Sequence, residues 1–172
     1  MLTELKAPLL NTILGPAITD GTIVILLQLN DLNDEVGTVN VLGNSGVAND
    51  DETYSFEEGA EIASSVGTID GDGNFSTTTP IAVLNFPVTV GDVTLNLPLR
   101  NVTLGGNWVG CSTTVTAGTM SGVILKEDAD ALEIEALGTN LGALFMNEPL
   151  NEAGDGWDLN ADFTASQVEF KE

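Results

Sequence analysis

Asp70, Asp72 and Asn74, in the run DGDGNF, are the side chains whose types and spacing could most readily do chemistry. Calcium loops present oxygen ligands at alternate positions in this way, and Gly71 and Gly73 allow the tight backbone path between them. A plain Asp-Gly turn uses the same residues. An EF-hand places a bidentate carboxylate at its twelfth position, where this chain has Ile81, so Ca2+ bound here would need a distant carboxylate to complete its shell.

The other acidic groups are Asp31, Asp34 and Glu35; Asp50, Asp51 and Glu52; and Glu57, Glu58 and Glu61. Each reads as a solvated loop. Asp158 and Asp162 share a strand face with Asn160, and two carboxylates on a strand could meet a cation or act as an acid and base pair. Alternating polar residues are also what any half-exposed strand presents.

Catalytic machinery is otherwise thin. The chain has no histidine, which removes a histidine base, a Ser-His-Asp triad and His-ligated zinc or haem. Its one cysteine, Cys111, reads as structural, because nothing in the sequence supplies a neighbour to stabilise a thiolate; an intermolecular disulfide is the alternative. Nucleotide-binding glycine patterns are absent. No catalytic residue is predicted, and an enzyme would have to rely on carboxylates alone. Asn74-Phe75-Ser76 and Asn101-Val102-Thr103 match the N-glycosylation pattern, a weak signal.

Charge narrows the partners. Against 26 Asp and Glu stand Lys6, Arg100, Lys126 and Lys171, for a formal charge of -22. Four scattered cations cannot form the cluster that binds a phosphate backbone, and an anionic membrane surface repels the chain for the same reason. The acids call for divalent cations, a salty medium or a cationic partner, or simply keep a β-rich surface soluble. No run of about 18 apolar residues occurs, so no transmembrane segment is expected. The N-terminus lacks a signal peptide's basic region and cleavage site and reads like that of a mature domain.

The elements that must position these groups read as mainly β. Leu5, Leu9, Leu10, Ile13 and Leu14 fall at helical spacings, predicting a short N-terminal helix over about 3–14 that packs its leucines into the core or lies on a membrane surface. The apolar run 22–29 predicts a central strand buried on both faces, and 36–41 another strand, followed by a turn-rich Gly43-Asn44-Ser45-Gly46. Phe86, Val88 and Val90, then Val93, Leu95, Leu97 and Leu99, alternate with polar residues on either side of Gly91-Asp92, which predicts a hairpin over 83–99. Pro87 and Pro98 belong on edges or at bulges. After Arg100 the apolar parity shifts to Val102 and Leu104, predicting a bulge near Arg100-Asn101. Residues 113–123 read as one strand or two, and about 127–137 as a second short helix ended by Gly138. Trp157, Leu159, Ala161, Phe163 and Ala165 predict a last strand with Trp157 in the core. Together these predict one domain, 1–172, an antiparallel β-sandwich or partly open barrel with two short helices.

The segments LLNTILGPAITDGTIVILLQLNDL, DGDGNF, VTVGDVTLNLPLRNVTLGGNW and TMSGVILKEDAD, in that order, resemble β-rich domains of secreted proteins and lipoproteins from myxobacteria and related predatory bacteria. The resemblance implies an extracellular or cell-envelope setting and no activity; this chain departs from it in lacking the paired cysteines of some such domains. The expectation is a non-catalytic, exported or cell-surface domain for adhesion, binding or self-association, with possible calcium. The alternatives are a fibre subunit completed by a neighbour's terminal segment, a carrier of an apolar ligand, and a carboxylate-only hydrolase. Acidity of this kind is also how proteins from concentrated salt stay hydrated.

Overall fold

A computed structural model describes residues 2–5, 24–33, 37–56, 62–90, 93–108, 114–135 and 138–171. Among them the strands are β1 (Leu2–Leu5), β2 (Ile25–Asn33), β3 (Thr38–Ala48), β4 (Tyr54–Phe56), β5 (Ala63–Ile69), β6 (Asn74–Thr77), β7 (Ile81–Val90), β8 (Val93–Asn107), β9 (Thr114–Leu125), β10 (Glu133–Ile134), β11 (Thr139–Asn140) and β12 (Gly156–Ser166). The helices are α1 (Lys126–Ala131) and α2 (Leu141–Leu144). The protein is mostly β, an antiparallel sheet curled into a half-barrel with two short helices.

Ten strands form the main sheet, in the order β1-β12-β9-β8-β6-β5-β3-β2, with β4 added to β3 and β7 to β8. The long β8 organises it. β7 pairs along its first part, β6 pairs Gly105–Asn107, and β9 pairs from Arg100 onward. The β7–β8 hairpin has the expected register, with Val90 opposite Val93 and Leu84 opposite Leu99.

The parity shift after Arg100 is a bulge: the β8–β9 register slips between Arg100 and Thr103, and Asn101 takes a left-handed φ of 52°. The extra residue lets Leu97 and Leu99 before it, and Val102 and Leu104 after it, all face the core. A second bulge lies in β9, where Ala117 has φ 48° and the pairing with both β8 and β12 slips. Next to it Gly118 passes under the Phe163 ring; a Cβ there would lie 2.6 Å from a ring carbon.

Val39, Val41, Ile81, Leu84, Leu97, Leu99, Ile124 and Leu159 fill the core and are each under 2 % exposed. Ala129 of α1, Ile134 of β10, Leu141 of α2 and Phe145 belong to the same cluster as Trp157. Phe145 and Trp157 lie with ring centroids 5.1 Å apart. Arg100 fastens α1 to β8 through a two-bond ion pair with Asp128, at 2.8 and 3.0 Å.

Several expected elements differ. Leu2–Leu5 is a strand antiparallel to β12, not the start of a helix; the rest of 3–14 lies outside the described residues. Backbone pairing with the β12 edge outweighs a local leucine spacing that an isolated short helix exploits poorly. From the 22–29 run comes β2, which among the described residues ends the sheet rather than centring it. Its apolar character serves Leu26, buried, and Leu27 and Leu29, packed on the core from partly exposed positions. Gly43–Gly46 is not a turn but the middle of β3, with Asn44 and Ser45 buried. The helix expected over 127–137 stops at Ala131. Leu132 is extended, and Glu133 and Ile134 pair with Asn140 and Thr139, because only an extended chain delivers Ile134, 1 % exposed, to the core. The second helix is instead α2, capped by the Asn140 side chain accepting from the Ala143 N–H at 2.8 Å.

Candidate functional site

The structure brings Asp70, Asp72 and Asn74 together in the turn between β5 and β6. Asp70 Oδ1 accepts the N–H groups of Asp72 and Asn74, each at 2.9 Å, and its Oδ2 accepts from Asn74 Nδ2 at 2.9 Å. These bonds, the Asn74 side chain first, hold the Asp70 carboxyl below the usual carboxylate range. Asn107 of β8 closes the turn from the other side, donating to Asn74 Oδ1 at 2.7 Å and to the Asp72 carbonyl at 3.2 Å. Gly73, with φ 81°, supplies the left-handed step. Asp70 thus turns its oxygens onto the loop's own donors, as an Asx turn does. A cation bound here would compete with those bonds.

No group of three or more metal-capable Asp, Glu, Cys or His side chains occurs among the described residues. Asp158 and Asp162 lie four residues apart on β12, which at a rise of 3.2–3.4 Å per residue separates their Cα atoms by roughly 13 Å. That span exceeds the separation of paired catalytic carboxylates. Asp34, Glu35, Glu57, Glu58, Glu61 and Cys111 lie outside the described residues, as does the side chain of Asp31.

The acidic loop at Asp50–Glu52 has a partner that the sequence did not announce. Beyond β12 the chain returns to β4 and lies parallel to it, with Tyr54 opposite Phe170. The Tyr54 N–H donates to the Glu169 carbonyl and the Lys171 N–H to the Tyr54 carbonyl, both at 2.8 Å. The Phe56 and Phe170 rings meet edge to face with centroids 5.1 Å apart. Lys171 Nζ donates to Asp51 Oδ2 at 2.7 Å, and the Thr53 hydroxyl to Asp51 Oδ1 at 2.5 Å. The Lys171 ammonium and then the Thr53 hydroxyl hold the Asp51 carboxyl at about 2. Two features of the sequence mark this contact: Phe170-Lys171 is the one place where an aromatic residue directly precedes a cation, and the run 168–171 alternates apolar and charged residues. Arg100, Lys126 and Lys171 each pair with an aspartate, respectively Asp128, Asp130 and Asp51; Lys6 lies outside the described residues.

The sheet's two terminal strands are the other sites of interest. β1 covers β12 only at Ala161–Phe163, with an irregular register. Among the described residues no strand pairs with Trp157–Asn160 on the side away from β9. No helix of the described residues is long and apolar enough to cross a membrane.

No protein-family model, curated protein or solved structure matches the chain.

Proposed function

We propose that this is a non-catalytic, exported β domain that works by self-association at a cell surface, through exchange of its first strand onto the β12 edge of a neighbouring copy. The observation that carries this reading is the incomplete cover of β12: among the described residues, an eleven-residue strand is capped along only a few positions by β1. A sheet edge of this kind is a ready template for strand addition, and the main-chain bonds that β1 makes to its own β12 are equally available to another copy. An exported setting rests on the resemblance to secreted domains.

The test uses the facing pair Glu4 and Asp162. In a Cys111→Ser background, chains carrying Glu4→Cys are mixed with chains carrying Asp162→Cys under mild oxidation. Strand exchange gives a disulfide-linked heterodimer that appears only in the mixture. Monodisperse monomers at all concentrations and salts, with no crosslinked heterodimer, would refute the proposal.

Calcium belongs to this reading only through the Asp70–Asn74 turn. A melting temperature that rises in millimolar calcium and returns with a chelator supports it; an unchanged one removes the metal.

A further inference from the structure

The contact between β4 and residues 169–171 has the parts of a peptide-recognition site: a strand edge that offers main-chain bonds, a ring that selects an aromatic side chain, and an acidic corner that selects a cation. Tyr54 supplies both main-chain bonds, Phe56 the ring contact and Asp51 the carboxylate. Main-chain pairing of this kind gives affinity without choice, while the two side-chain contacts choose what is seated. Phe170-Lys171 is the only aromatic-then-cation pair in the chain, so no other segment of the same protein satisfies both.

We propose that the β4 edge is an acceptor for residues 168–171 of a second copy of this chain, and that reciprocal exchange of this segment builds a two-fold dimer. Every contact made within one chain is reproduced between two, which is why exchange of an identical element is a low-cost route to dimers. Val168 and Phe170 of the exchanged segment stay 39 % exposed when seated within one chain, which leaves apolar surface for the partner to cover. The site shares nothing with the β12 edge but the chain that leads out of β12, and the proposal does not depend on exchange of β1.

Two full-length variants test it. In Asp51→Lys a lysine faces Lys171, and in Lys171→Glu a glutamate faces Asp51, so each variant sets like charges together within its own chain. When the two are mixed, exchange places opposite charges together at both sites of the heterodimer. Both substitutions are at surface positions more than half exposed, where such changes leave folding nearly untouched.

The expected result in native mass spectrometry at low ionic strength is a dimer fraction in the mixture at least about fivefold above that of either variant alone, with the enhancement lost in 1 M NaCl, where the screening length falls to about 3 Å. The double variant Asp51→Lys, Lys171→Glu should behave like the unaltered chain. A mixture whose dimer fraction only equals that of the separate variants overturns the proposal. Dimers present equally in every sample would point to the β12 edge instead and would overturn it as well.

Discussion

The bulge in β8 makes a sharp prediction because it turns on one backbone angle. Asn101 is exposed and has φ 52°, while Leu99 and Val102 on either side are 0 % exposed. Replacing Asn101 with valine therefore removes little packing and asks a β-branched residue to hold a left-handed conformation, which costs about 1–2 kcal/mol. In a domain of this size each kcal/mol moves the melting temperature by about 2–4 °C, so Asn101→Val should melt roughly 2–8 °C lower. Asn101→Gly relieves the backbone but adds freedom to the unfolded chain, and the two effects should cancel to within about 0.5 kcal/mol. Thermal and urea unfolding followed by circular dichroism measure both, with an unchanged urea slope showing that only stability has moved. A valine variant as stable as the parent would refute the left-handed bulge, and an equal loss in the glycine variant would place the cost in the asparagine side chain. Inserting one further residue after Asn101 should do far more harm, since it sends Val102 and Leu104, both buried, to the wrong face.

Ala117→Gly, at the second bulge, should gain about 0.5–1 kcal/mol in the same assay, because glycine meets no Cβ penalty at φ 48°. Leu99→Ala should lose about 3–5 kcal/mol, the range for a fully buried leucine whose surroundings cannot collapse; a loss under 1 kcal/mol would mean that the curled sheet is loosely packed. The pairing of Asp51 with Lys171 sets a pH dependence. The folded carboxyl sits at about 2, below its ordinary value of 3.8, so the stabilisation is complete above the unfolded value and is lost as pH falls from about 4 through 2. Carboxyl chemical shifts of Asp51 should show this low midpoint, and Lys171→Met should return it towards 3.8. Stability should also rise between 0.1 and 1 M NaCl, as screening relieves a formal charge of -22; a melting temperature that falls over this range would refute that.

The amino-acid sequence by itself determined the class of fold, the β7–β8 hairpin, the bulge after Arg100 and the core face of β12. Each is written as a two-residue alternation or a break in one, and a strand that exposes one face has no other way to bury its aliphatic side chains. Asp70, Asp72 and Asn74 were legible as a turn for the same reason, since their spacing is local. Tertiary structure alone decided which of the described strands lie at the ends of the sheet, because the apolar run of β2 looks alike whether it is flanked by two strands or by one. It also decided that residues 2–5 are extended, that α1 stops at Ala131 so that Ile134 reaches the core, and that Lys171 meets Asp51 across 120 residues. Those outcomes depend on pairings between distant segments, and no local periodicity encodes the partner at the other end.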